Sequence, residues 1–130
     1  MTRNDKEYLF HLLQDIYFDN IDTAKADEAA EAMHSDVRWV HNQVWEHDAH
    51  KTNIRDTFNG RKEVREFLRK RVLEMQIEGI IHKVENVVSD GKLGAFKANV
   101  IGTDKSKKPF FGLVELKDNK IIYYRVLPQE

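Results

Sequence analysis

Between Trp39 and His50 the chain reads WVHNQVWEHDAH, which sets three of its six histidines beside Glu46 and Asp48. Imidazoles and carboxylates at this density suit either metal ligation or proton transfer. Zinc needs three or four ligands converging at about 2.0–2.2 Å, with further groups holding them in place. The spacing argues against a metal. His41 belongs to an alternating stretch in which Val37, Trp39, His41, Gln43 and Trp45 share one face, whereas His47 and His50 follow in a polar, aperiodic segment. No HExxH-type pair sets two imidazoles on one helix face. The stretch therefore divides: no metal site is expected, His47 and His50 are read as solvated, and His41 belongs to the wall of an interior. A second run, Arg61 to Arg71, sets Arg61, Arg65 and Arg69 in one helical stripe. A solvated helix face is expected there rather than a nucleic-acid surface.

Composition narrows the classes further. With 21 basic against 22 acidic residues, no global field recruits nucleic acid or an anionic membrane. The 41% hydrophobic and 33% charged content is that of a folded domain, and the length suits a single domain over residues 1–130. Cysteine is absent, which removes disulfides and thiolate metal sites and agrees with a reducing compartment. The start, MTRNDKEYLF, lacks the apolar run of a signal peptide, and no segment reaches membrane-spanning length. A cytoplasmic protein is expected.

Periodicity gives the elements that must position the chemistry. From Asp5 to Asn20, Leu9, Leu12, Leu13, Ile16 and Tyr17 recur at helical spacing. Phe10 and Phe18 widen the stripe, so this helix is expected to be covered on more than one side. A second helix is predicted from about Thr23 to His34, burying Ala26, Ala29, Ala30 and Met33. A strand from Asp36 to Trp45 and a polar loop from His47 to Gly60 follow. Val64, Phe67, Leu68, Val72 and Met75 mark a third helix from about Arg61 to Gln76. Then come a strand ending at Ser89-Asp90-Gly91 and others over Leu93 to Gly102, Phe110 to Lys117 and, after Asp118-Asn119, Lys120 to Leu127. Helices with one early strand and then a meander make an α+β order. In the last two strands both faces are apolar: Phe111, Leu113, Tyr123 and Leu127 oppose Phe110, Val114, Tyr124 and Val126. Helices can cover one face. A second copy of the chain is expected on the other, making a homodimer.

The order of several short markers carries a resemblance over nearly the whole chain. They are His34-Ser35-Asp36-Val37-Arg38-Trp39, Phe58-Asn59-Gly60-Arg61, Asp90-Gly91, Gly102-Thr103 and Asp118-Asn119-Lys120-Ile121-Ile122. Together they resemble the nuclear transport factor 2-like superfamily, with its SnoaL-like, ketosteroid isomerase-like and scytalone dehydratase-like branches. The resemblance implies a cystatin-like α+β roll, in which a bent antiparallel sheet wraps around three helices as a cone with an internal pocket. Fold alone does not fix activity in such a group.

Two catalytic placements follow from the resemblance. In ketosteroid isomerases a carboxylate five residues beyond the aspartate opening the first strand moves the proton; here that position is His41. An imidazole can do such work near neutral pH. The isomerases' second acid falls at Gly112, which leaves half of their oxyanion hole missing. The dehydratase branch carries a tyrosine late in the first helix, an aspartate five residues on, and a histidine followed four residues later by asparagine. Tyr17, Asp22, His82 and Asn86 match both spacings. There histidine moves the proton, aspartate fixes its tautomer and tyrosine polarises a carbonyl.

Structural roles compete with each assignment. Asp22 stands where a helix cap is common, Tyr17 suits a core, and His82 and His41 suit hydrogen-bonded wall positions. The combined expectation is a cofactor-free lyase or isomerase for a small hydrophobic carbonyl compound, with a ligand-binding or dimerisation module as the alternative. Tyr17, Asp22, His82 and His41 are the catalytic candidates. Trp39, Asn86, Phe96, Ala98, Val100, Gly112, Tyr124 and Val126 are expected to line the pocket.

Overall fold

The computed structural model describes residues 4–42 and 55–128. Asn4 starts the first helix: its side-chain oxygen accepts the Glu7 backbone N–H at 3.1 Å, and Asp5 and Glu7 sit in the first turn, where the helix dipole favours negative charge. Helix α1 then continues through Asp5–Phe10 in α form, His11–Phe18 in the wider π form and Asp19–Asp22 in α form. Such π segments are rare and gather at functional sites. Leu9, Leu12, Leu13, Gln14, Tyr17, Phe18 and Ile21 are all buried, so the helix is covered over a broad arc.

Helix α2 is short, Ala26–Ala30, because Ala24 takes a left-handed φ of 60° before it and the chain is already extended at Met33. Met33 and His34, expected in the helix, open strand β1, Met33–Asn42. Gln43 and Trp45 lie outside the described residues, as do His47 and His50. Strand β2, Arg55–Asn59, falls within the segment read as a loop. Its RDTFN sequence carries one apolar residue, Phe58, too little for the alternation that marks a strand. Helix α3 spans Arg61–Glu78, and Val64, Leu68 and Val72 are buried on it. Strands β3 (Ile81–Ser89), β4 (Leu93–Ile101), β5 (Lys107–Lys117) and β6 (Lys120–Pro128) complete the chain.

The fold is α+β, three helices on one six-stranded sheet of order β2-β1-β6-β5-β4-β3. Every neighbouring pair is antiparallel except β1 and β6, which run parallel, so the sheet is mixed. Register shifts between Met33 and Arg38, Val84 and Asn86, and Glu115 and Leu116 mark bulges, the devices that bend a sheet. The concave face carries Trp39, Val84, Phe96, Ala98, Phe110, Val114, Tyr124 and Val126, all buried against α1 and α3. On the convex face Phe111 is 44% exposed, Leu113 51% and Leu127 37%. The arginine stripe of α3 does more than meet solvent: Arg69 grips both oxygens of Asp27 at 2.8 and 3.0 Å and holds that carboxyl below its usual range, and Arg61 lies 3.8 Å from Glu31. Among the described residues no helix is long and apolar enough to cross a membrane.

Candidate active site

Gln14, Phe18 and Asp22, four residues apart on α1, all reach one point on β3. β3 is a sheet edge, so its outward backbone groups need partners other than a strand. Gln14 supplies them as a side-chain amide: its Nε2 donates to the His82 carbonyl at 3.0 Å, and its Oε1 accepts the Val84 N–H at 2.7 Å. A second Nε2 bond, 2.8 Å to Asp19, fixes the amide. Phe18 stacks on the His82 ring with centroids 5.0 Å apart and planes 11° apart, while Phe110 meets that ring edge-on at 6.3 Å.

Asp22 completes the clamp. One carboxylate oxygen accepts the backbone N–H of His82 at 2.7 Å, and the other lies 2.7 Å from His82 Nδ1. Both side chains are nearly enclosed, Asp22 at 9% and His82 at 12% exposure. The helix-cap alternative does not hold, since α2 is preceded by Lys25 and has no side-chain cap bond. An ionised carboxylate only accepts, so Nδ1 carries a hydrogen, and in the neutral form of the ring Nε2 holds the lone pair. Nε2 is thus the nitrogen left for chemistry.

Tyr17 faces away from His82, toward β1 and β6. Its hydroxyl oxygen accepts the Trp39 indole N–H at 3.0 Å and shares a hydrogen bond with the Tyr124 hydroxyl. Burial raises both phenols far above their ordinary range, so both stay protonated. His41 stacks flat on Trp39, centroids 5.2 Å apart, and sits opposite Asp56 of β2.

These groups share one cavity, partly open, with about 40 Å³ of space accessible to water. Of the expected lining residues, Tyr17, Trp39, His41, His82, Val100 and Tyr124 do line it. Phe96, Ala98, Gly112 and Val126 are buried on the concave face but do not line it. A Cβ on Gly112 would come within 2.1 Å of the Phe96 ring, so glycine is what lets that ring cover β5 there. Asn86 is a correction. The bulge after Val84 flips the strand's parity, and Asn86 stands exposed on the convex face opposite Lys97. His82 and His41 sit on opposite wings of the sheet, β3 and β1, with the aromatic cluster between them.

Sequence reasoning missed Arg71 and Gln14. Arg71, 5% exposed, lines the cavity from α3. The signal was present: it follows Phe67 by four and Leu68 by three, on the apolar stripe itself. Among the described residues no group of three or more His, Asp or Glu side chains is placed to hold a metal ion.

No protein-family model matches the sequence, and no curated protein does. Solved structures match over almost the whole chain. A proposed ketosteroid isomerase from Kribbella flavida is 18% identical, with a TM-score of 0.65 over 97% of this chain and 81% of that one. An LEH-like epoxide hydrolase from M. tuberculosis is 14% identical, with a TM-score of 0.66 over 97% and 86%. A cystatin-like-fold protein of unknown function from Methylobium petroleophilum reaches a TM-score of 0.71 at 12% identity, over 96% and 78%. Others of the same fold are described as NTF2-like. This chain has the NTF2-like, cystatin-like fold, shared by a proposed ketosteroid isomerase, an LEH-like epoxide hydrolase and proteins of unknown function.

Proposed function

We propose that the chain is a cofactor-independent acid–base enzyme, a lyase of the dehydratase type or an isomerase, acting on a small carbonyl compound. One observation carries this: Asp22 spends both carboxylate oxygens on His82, and His82 forms part of the wall of an aromatic-lined cavity. His82 Nε2 takes a proton from the carbon next to the substrate carbonyl. The electron pair moves onto the carbonyl oxygen, which accepts the Tyr17 O–H. Trp39 donates to the Tyr17 oxygen and polarises that bond. The protonated His82 then returns its proton to another carbon, which isomerises the substrate, or to a β-hydroxyl, which leaves as water. Asp22 stabilises the imidazolium between these steps. The convex apolar face is assigned to a homodimer, on the exposure of Phe111, Leu113 and Leu127.

The narrow free space favours a second reading, a binding or dimerisation module whose pocket is largely filled by its own side chains. Proton exchange separates the two. Small ketones, hydroxy-ketones and oxo acids are incubated with the protein in D₂O, and α-deuteration is followed by NMR. The enzyme reading expects exchange that His82→Gln abolishes. Background exchange throughout the series would leave the module.

A further inference from the structure

His82 stands where a strand is weakest. It is the second residue of β3, an edge strand, and the register shift after Val84 leaves only Ile81, His82, Lys83 and Val84 paired ahead of the bulge. Strand ends open first, because few bonds hold them. One side of this stretch pairs with β4, and the other meets α1. There Gln14 stands in for a missing strand: its amide donates to the His82 carbonyl at 3.0 Å and accepts the Val84 N–H at 2.7 Å. Asp22 accepts the His82 N–H at 2.7 Å, so both backbone groups of His82 end on α1. The Gln14 amide is itself fixed. Its nitrogen meets two acceptors, the His82 carbonyl and an Asp19 carboxylate oxygen at 2.8 Å, while its oxygen meets a donor. A flip would set like against like at all three contacts. The π form of α1 adds a second link, since the Asp19 backbone N–H bonds to the Gln14 carbonyl five residues back. At 6% exposure, any bond that Gln14 gives up leaves a buried polar group unpaired.

We infer that Gln14 is a positioning residue for His82: by holding the stretch from His82 to Val84 against α1, it keeps the ring in the cavity wall and Nδ1 within reach of Asp22. The catalytic consequence rests on the acid–base reading above; the placement of the ring does not. Asp22 cannot set the ring alone, because its bond to Nδ1 is only as well placed as the backbone that carries the ring. Gln14 does not itself line the cavity. Its loss should therefore fall on kcat, by up to about 10²-fold for a misplacement of about 1 Å, with KM changed by no more than about twofold.

The test uses the full chain, labelled with ¹⁵N, as wild type, Gln14→Met and Val114→Ala, the last a buried change on β5 that lowers stability and makes none of these bonds. The His82 Nδ1–H resonance and its protection from solvent exchange are followed without substrate. In the wild type one opening should release both this hydrogen and the Val84 amide, so their protection should agree. Ring protection more than about tenfold above that of Val84 overturns the role of Gln14 even if Gln14→Met fails to fold. In Gln14→Met the ring resonance should shift and its exchange quicken, and in Val114→Ala both should stay as in the wild type. A ring unmoved in folded Gln14→Met, or moved equally in Val114→Ala, also overturns it. The D₂O assay separates the two readings. Substrate exchange that His82→Gln abolishes but that keeps its full kcat in Gln14→Met removes the positioning role and leaves the enzyme. A shifted ring in Gln14→Met, with no substrate exchange in the wild type, removes the enzyme and leaves the placement.

Discussion

Asp22 holds His82 twice, through the ring Nδ1 and through the backbone N–H of the same residue, each at 2.7 Å. The carboxylate thus sets the ring's position and its tautomer together. In Asp22→Asn the amide presents one acceptor and one donor to two N–H groups, so one of the two bonds is lost. The expected result is a loss of turnover of about 10²–10⁴-fold on any substrate found, the range of a positioned acid–base group. Circular dichroism should show the fold retained. Unchanged turnover would move the base to His41.

Tyr17 is bonded to both Trp39 and Tyr124 and is expected to donate to the substrate. Removing its hydroxyl in Tyr17→Phe takes away the carbonyl's hydrogen bond, a loss of about 10²–10³-fold in kcat. It also strands the Trp39 N–H, at a cost of about 1–3 kcal/mol. Both readouts should move, kcat in a steady-state assay and the midpoint in a urea titration. A stability loss without a kcat loss would leave Tyr17 as core only.

High pH reports on the same phenols. Burial raises the ionisation of Tyr17 and Tyr124 in the folded chain, while in the unfolded chain they ionise near the ordinary value of 10.0. Above that pH the folded state binds more protons than the unfolded one, so stability falls as pH rises. The contribution is complete below about pH 10 and is lost above it. Tyrosinate absorbance near 295 nm should show Tyr17 and Tyr124 ionising only together with unfolding. In Tyr17→Phe the decline of stability with pH should be shallower.

Which of these features could be read from the sequence follows from how local each one is. That Asp22 and His82, 60 residues apart, belong together was suggested only by the resemblance to the dehydratase branch, and their 2.7 Å contact appears only in the folded chain. The place of Asn86 was not legible, because a bulge between Val84 and Asn86 shifts the strand by one residue and periodicity cannot foresee it. β2 was hidden because Arg55, Asp56 and Thr57 are polar and rely on β1 for their pairing. Gln14 reads as a polar interruption of a helix, and only the missing neighbour of β3 reveals its role. The two-faced strands β5 and β6 were legible, since Phe111 and Leu127, paired across them, stand out as apolar beside an equally apolar concave face.

That convex face gives the last prediction. Phe111 pairs with Leu127 and Leu113 with Arg125, so a row of exposed side chains crosses β5 and β6. Isolated, such a row leaves apolar area in water; joined to its own copy across a two-fold axis, it is buried at about 25 cal/mol per Å² before the costs of association. Sedimentation equilibrium of the wild-type chain should therefore give twice the chain mass. Leu113→Glu places a carboxylate from each copy in the proposed interface, where burying the charge opposes assembly. Its mass should fall to that of one chain, with the thermal unfolding of each protomer still cooperative. A variant that sediments like the wild type would place the interface elsewhere.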